Sequence, residues 1–133
     1  MRWEDGMMTK DEAMKLLAIH AGRNEECFDQ GYCFKLRYGI KDEEEIEELF
    51  NEVFACLKCL KDLFYNEQIG RHMMADLHSI LAQSVLYINL NKAYVERISI
   101  YTEVLSETLV YLLENVEQPF AAYDHYKENY DLE

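Results

Sequence analysis

Residues 42–65 read DEEEIEELFNEVFACLKCLKDLFY, and this stretch decides the fold class. Its apolar side chains recur at the spacing that places them on one face of an α-helix. Asp42 predicts an N-terminal cap, and the glutamates that follow it suit the positive end of the helix dipole. We therefore predict a long amphipathic helix over 42–65. Its apolar face comprises Ile46, Leu49, Phe50, Val53, Leu57, Leu60 and Phe64.

Two later stretches show the same helical spacing of apolar residues. The first covers about 67–90, with Asn66 as its predicted cap, and the second covers about 92–116. Pro119 follows the second stretch and cannot continue a helix, so the helix is predicted to end before it. Short links between three long helices favour antiparallel packing in a bundle.

Shorter elements precede the long helices. The pattern Thr9-Lys-Asp-Glu12 is that of a capping box and predicts a short first helix, which Gly22 is expected to end. Residues 24–41 alternate only weakly between apolar and polar side chains, so a strand remains an open alternative there. We favour a short helix or an ordered loop, because no second strand pattern is present to pair with it.

The composition supports an all-helical fold. The chain has 133 residues but only 5 glycines and 1 proline, and a many-stranded sheet would need more turn residues. We predict a single helical domain over 1–133, with an all-α fold built as a compact antiparallel bundle of four to five helices. The tail after Pro119 supplies the last short helix, and residues 1–8 and 128–133 are expected to be disordered.

The charge balance limits the classes of partner. The chain has 26 acidic and 13 basic side chains, for a formal net charge of −13. Such a surface repels nucleic-acid phosphates and anionic lipid headgroups, so neither nucleic acid nor a membrane is predicted as a partner. No apolar run approaches the roughly 20 residues of a membrane span. A basic protein is the partner that this charge favours.

The cysteines are predicted to be free thiols. The first residues, MRWEDG, lack the apolar stretch of a secretory signal, which predicts a cytoplasmic location in which disulfides are rare. Cys56-Leu-Lys-Cys59 is a C-x-x-C sequence, and with two cysteines upstream it leaves zinc as an alternative. We favour packing thiols and predict no cofactor, because the pair stands in the middle of a predicted helix.

A second metal or acid–base alternative involves His72 and Asp76. They stand four residues apart, which places both on the predicted polar side of the 67–90 helix. Such a pair can supply two metal ligands or an acid and a base. A surface hydrogen bond is the more ordinary interpretation, because no third partner is evident in the sequence.

The acidic start of the 42–65 helix resembles half of a known metal motif. Helical nucleotide pyrophosphohydrolases of the MazG type bind magnesium through Glu-x-x-Glu on one helix and Glu-x-x-Asp on another. The matching motifs here are Glu44-x-x-Glu47, Glu45-x-x-Glu48 and, in the tail, Glu128-x-x-Asp131. The resemblance implies metal-dependent hydrolysis, but its second half lies in the tail rather than on a long helix. A solvated, dipole-complementing helix start is the favoured interpretation.

The 92–116 helix carries the most suggestive surface. Opposite its main apolar stripe lie four carboxylates with three further apolar or aromatic residues beside them. A central helix packed on two sides would explain the apolar residues, and a protein-docking or homodimer surface would explain both sets. This predicted partner-binding strip consists of Glu96, Ile100, Glu103, Val104, Glu107, Tyr111 and Glu114.

Taken together, these patterns favour a non-enzymatic acidic module or inhibitor that docks a basic protein partner. A metal-binding or metal-dependent hydrolytic protein that uses His72, Asp76, Cys56 and Cys59 is the first alternative. A structural homo-oligomer is the second alternative. No glycine-rich phosphate loop and no nucleophile-elbow motif is present in the sequence.

Overall fold

The computed structural model describes residues 8–23, 26–90 and 93–130, and every regular element in these ranges is helical. The predicted all-α class and compact packing are confirmed, with six α-helices in the described residues instead of four to five. Two short 3-10 turns, Phe28–Gln30 and Lys61–Tyr65, accompany them. The helices are α1 (Lys10–His20), α2 (Tyr32–Tyr38), α3 (Glu43–Leu60), α4 (Arg71–Leu90), α5 (Val95–Leu113) and α6 (Ala121–Tyr130).

The first three helices follow their local sequence signals. Glu12 N donates to Thr9 Oγ1 at 3.1 Å and Thr9 N donates to Glu12 Oε1 at 2.9 Å, which confirms the capping box of α1. The unclear segment contains α2, so the favoured interpretation of a short helix is confirmed. Asp42 caps α3 by accepting from Glu45 N at 2.8 Å.

The ends of the long helices differ from the predicted ones. The α3 helix stops at Leu60 and continues as a 3-10 turn to Tyr65, a tightening that is common at helix C-termini. The α4 helix begins at Arg71, so the prediction that Asn66 caps it is wrong. The first carbonyl to accept a helical bond is that of Gly70, from Met74 N at 3.2 Å.

Left-handed residues set both ends of α5. Tyr94, with φ of 60°, precedes the helix, and such a conformation cannot lie inside one. Asn115, with φ of 58°, follows it, while Val116 N donates to the Tyr111 carbonyl at 3.1 Å. This is a Schellman arrangement, and it ends the helix three residues before the predicted position at Val116.

One cluster of buried side chains includes residues from all six helices, and α3 contributes the largest share. Six of the seven predicted apolar residues of the 42–65 stretch are buried, and the seventh, Leu49, is partly buried. The ring of Phe50 stacks on Tyr101 with centroids 3.9 Å apart, and Phe54 stacks on Tyr123 at 4.1 Å. These stacks join α3 to α5 and α6.

The structure describes only part of the two terminal segments, 1–8 and 128–133, that are predicted to be disordered. Residues 1–7 and 131–133 lie outside the described ranges. Met8, by contrast, is buried, and residues 128–130 continue α6. Among the described residues, no helix combines the length and the apolar character needed to cross a membrane.

Candidate functional site

An open groove lies between α5 and α6 and encloses about 530 Å³. We call it the α5–α6 groove. Five of the seven residues of the predicted strip line it, whereas Glu96 and Glu114 lie outside it. Sequence reasoning missed the α6 side of the groove altogether. The lining residues are Ile100, Glu103, Val104, Glu107 and Tyr111 from α5, with Ala121, Ala122, His125, Tyr126 and Asn129 from α6.

The groove has an apolar floor and a polar rim. Val104 and Tyr126 are buried at its base, and Ile100 and Ala122 are partly buried beside them. On the α5 side the rim consists of Glu103 and Glu107, both exposed to solvent. On the α6 side it consists of exposed His125 and Asn129, whose side chains hydrogen-bond to each other. One edge is therefore anionic and the other carries no carboxylate among its lining residues.

A partly buried polar cluster around Glu47 holds α6 against the bundle. Glu47 Oε1 accepts from Tyr101 and Tyr126 hydroxyls at 2.5 Å each and from Arg97 Nη1 at 3.0 Å. Lys127 Nζ lies 3.4 Å from the other oxygen. We call these five residues the Glu47 cluster. Because Tyr126 and Lys127 belong to α6, the cluster fixes that helix beside α5 and keeps the groove in shape.

The cluster also changes the acidity of its phenols. Burial, followed by the hydrogen bond to the Glu47 carboxylate and its negative charge, raises the pKa of Tyr126 to about 12. The same causes, in the same order, raise the pKa of Tyr101 well above its ordinary range. Both hydroxyls therefore remain protonated donors to Glu47 at neutral pH.

We expect an alkaline loss of stability from this cluster. A phenol ionises near pH 10 in the unfolded chain, but the folded pKa of Tyr126 is higher, so folding favours the protonated form. The stabilisation is complete below about pH 10 and declines as the pH rises through about 12. A titration of tyrosinate absorbance, with circular dichroism in parallel, should show these phenols ionising together with unfolding. Reversible ionisation of all 10 tyrosines near pH 10 with unchanged dichroism would contradict this expectation.

The acidic side chains differ in whether a cation of the protein already pairs with them. The carboxylates on α3 and α4 that look most conspicuous in the sequence are largely paired internally. These pairs are Glu43–Arg97 at 3.6 Å, Glu45–Lys35 at 3.4 Å, Glu47–Arg97 at 3.0 Å and Asp76–Arg23 at 2.7 Å.

The groove carboxylates lack such pairing. Within residues 8–23, 26–90 and 93–130, no basic side chain lies within ion-pair distance of Glu103 or Glu107. Glu107 accepts one hydrogen bond, from the Tyr111 hydroxyl at 2.5 Å, which leaves its other oxygen toward solvent. The rim therefore presents negative charge that the described part of the protein does not neutralise.

The described residues do not complete a metal site around the two predicted cysteine ligands, Cys56 and Cys59. Cys56 is fully buried in the core, and burial, followed by the charge of Glu52, raises the pKa of its thiol and opposes the thiolate that zinc requires. Cys59 is partly buried and donates to the Met8 carbonyl at 3.2 Å. Among the described residues, no group of three or more His, Cys, Asp or Glu side chains has the spacing to hold a metal.

His72 and Asp76 differ in their exposure to solvent. The prediction that both lie on a polar face is wrong for Asp76, which is 1% exposed. Arg23 donates to both of its oxygens, from Nε at 2.7 Å and Nη2 at 2.9 Å, and so ties α4 to the end of α1. His72 is exposed on the surface of α4.

The glutamates of the motifs that resemble a magnesium site have different surroundings in the fold. Glu44 and Glu48 are exposed, Glu45 pairs with Lys35, and Glu47 belongs to the Glu47 cluster. The predicted partner Asp131 lies outside the described residues.

A smaller groove of about 240 Å³ lies beside an aromatic surface near α2. Phe34 contacts Phe28 and Tyr38, with ring centroids 5.5 and 4.7 Å apart. Arg37 lines this groove and donates to Gln83 at 3.2 Å. Its described lining contains no carboxylate, so it offers a useful contrast to the α5–α6 groove.

The fold and the groove define a small, acidic, all-helical protein with a carboxylate-rimmed groove between two helices. No protein-family model, no curated protein and no solved structure matches this chain.

Proposed function

We propose that the chain is a non-enzymatic interaction module, or an inhibitor, whose α5–α6 groove docks a basic segment of a partner protein. One observation carries the proposal: Glu103 and Glu107 border an apolar floor and have no basic partner within the described residues. The carboxylates on α3 and α4 that pair with Lys35, Arg97 or Arg23 are less available to a cation of a partner.

The two parts of the groove would contribute differently to binding. Apolar floor residues such as Ile100 and Val104 supply affinity, because covering them removes apolar surface from water. The rim carboxylates supply selectivity and faster association with cations, and their effect weakens as salt rises. Binding is therefore expected to be strongest at low ionic strength.

The negative charge of the chain disfavours the other candidate occupants of the groove. Nucleic acid and anionic lipid would meet both the rim and a net charge of −13, and both are repelled by them. A second copy of the chain would carry the same net charge of −13, and this mutual repulsion opposes its association with the groove. A basic protein segment is the occupant for which charge and shape agree.

Charge reversal at the rim tests this function. Panning a displayed library of random peptides on the wild-type protein should enrich sequences that combine basic and apolar residues. At about 0.15 M salt, we expect the double variant Glu103→Lys/Glu107→Lys to bind the enriched peptides at least about tenfold more weakly, since like charges now meet.

The matched control is the double variant Glu96→Lys/Glu114→Lys. It changes the net charge by the same amount, but at one carboxylate on α5 and one at the C-terminal end of α5, both outside the groove. Its affinity should stay within about threefold of the wild type, because long-range charge is screened at moderate salt. Enrichment of peptides that are not basic, or equal losses in both variants, would refute the groove as the docking site.

A further inference from the structure

We infer that the segment which the α5–α6 groove accepts is an amphipathic α-helix of about three turns, with two basic side chains one turn apart along one flank. This inference rests on the proposed docking function. It concerns the conformation and the charge spacing of the partner, which the docking function leaves open.

The walls of the groove favour a helix over an extended peptide. Both walls are α-helices, in which most backbone N–H and C=O groups are already used in helical hydrogen bonds, and neither wall presents a strand edge. The described residues offer no sheet edge with which an extended peptide could pair. An extended segment would bury its own backbone polar groups against Ile100 and Val104 without partners, whereas a helix satisfies them internally.

The length of the groove sets the length of the occupant. Its α5 lining runs from Ile100 to Tyr111, which corresponds to about 17 Å along the helix axis at about 1.5 Å per residue. About three turns of a partner helix cover that distance. The small side chains of Ala121 and Ala122 on the facing wall leave room for the backbone of a third helix to approach closely.

The rim sets the charge pattern. Glu103 and Glu107 stand four residues apart on α5, so their side chains are neighbours along one edge, about 6 Å apart. Lysine or arginine residues three or four positions apart on a partner helix have the same spacing. The opposite rim, His125 and Asn129, contributes no carboxylate to the lining of the groove, so we place the two basic residues on the flank of the partner that faces Glu103 and Glu107.

Three synthetic peptides of equal composition, about 16 residues long, test the inference. The parent has an apolar stripe flanked on one side by two lysines four positions apart. The parent and the second peptide end in a proline, and the second has both lysines on the face opposite the apolar stripe. The third peptide has the lysines of the parent, but its proline stands at a central solvent-facing position, and the residue from that position stands at the terminus. Affinity is measured by calorimetry with the whole protein, and helix content by circular dichroism before and after mixing.

We expect the parent to bind with a gain of helical signal and the proline peptide to bind at least about tenfold more weakly. The displaced-lysine peptide should lose severalfold in affinity, and its affinity should no longer respond to Glu103→Lys/Glu107→Lys. Equal binding of the parent and the proline peptide, without a helical gain, would overturn the helix while leaving basic docking intact. Failure of all three peptides, together with no basic peptides from panning, would contradict the docking function itself.

Discussion

Gly31→Ala is expected to lower the free energy of unfolding by about 3 kcal/mol, because the added methyl group has no space. A Cβ at this position would lie 2.1 Å from the carbonyl oxygen of Ile19 and 2.8 Å from Cα of His20. Both neighbours are backbone atoms of α1, so no side-chain rotation relieves the clash. The helix ends must move apart, and overpacking of this kind is among the costliest single changes.

Separating α1 from α2 at Gly31 would also disturb the hydrogen bonds of the neighbouring His20. His20 is fully buried, its Nδ1 accepts from Tyr32 N at 3.1 Å, and its Nε2 lies 2.8 Å from Glu52 Oε1. One imidazole thus joins α1, α2 and α3. Separating the helices at Gly31 exposes this ring and leaves buried polar groups without partners, which adds to the steric cost.

Gly70→Ala is the matched control for this variant. A Cβ there would meet nothing within 4 Å, so the same chemical change should cost less than about 1 kcal/mol, chiefly from poorer capping of α4. Urea denaturation followed by circular dichroism measures both variants. Equal stability of the two variants would contradict the close approach of Gly31 to α1.

Glu47→Ala is expected to destabilise the protein by about 2 to 3 kcal/mol, since it removes the common acceptor of the Glu47 cluster. Two tyrosine hydroxyls would lose their carboxylate acceptor in a partly buried setting, and Arg97 would keep only the longer ion pair, with Glu43 at 3.6 Å. We place the cost below that of a fully buried ion pair because the Glu47 side chain is 16% exposed and Arg97 is 25% exposed.

Glu44→Ala, one turn earlier on the same helix, is the control. Glu44 is exposed, so its removal loses only the favourable interaction with the helix dipole, worth less than about 1 kcal/mol. Hydrogen exchange gives a second measurement: the amides of α6 should exchange faster in Glu47→Ala than in Glu44→Ala. Indistinguishable unfolding energies and exchange rates would show that the Glu47 cluster does not hold α6 in place.

The sequence predicted best those features that depend on neighbouring residues. The Asp42 cap, the capping box from Thr9 to Glu12 and the apolar face of α3 each depend on spacings of three or four positions, and helical periodicity detects them. Five residues on one side of the α5–α6 groove were found in the same way, because surplus apolar residues beside carboxylates are visible on a single helix.

Features that depend on distant partners could not be predicted. Asp76 appeared to be polar surface because its partner Arg23 lies 53 residues away, and Tyr126 contacts Glu47 across 79 residues. The α6 wall was missed for this reason. The helix is short and weakly patterned, and its place in the fold depends on the Glu47 cluster and on aromatic packing against α3.

The acidic start of α3 illustrates the same limit for charge. The carboxylates that begin the 42–65 helix are predicted from the sequence to form a solvated helix start. In the fold Glu43 and Glu45 pair with Arg97 and Lys35, whereas Glu103 and Glu107, two members of the predicted partner-binding strip, have no basic partner among the described residues. A charge pattern becomes informative about partners only after the internal pairs are known.

The most direct test of the central claim is to map where a basic helical peptide binds. Amide chemical shifts of the labelled wild-type protein are followed by nuclear magnetic resonance as the parent peptide is added. We expect the shift changes to concentrate in residues 100–111 and 121–129, on the two walls of the α5–α6 groove. Changes centred on the aromatic surface of residues 28–38, or spread evenly over the acidic surface, would contradict it.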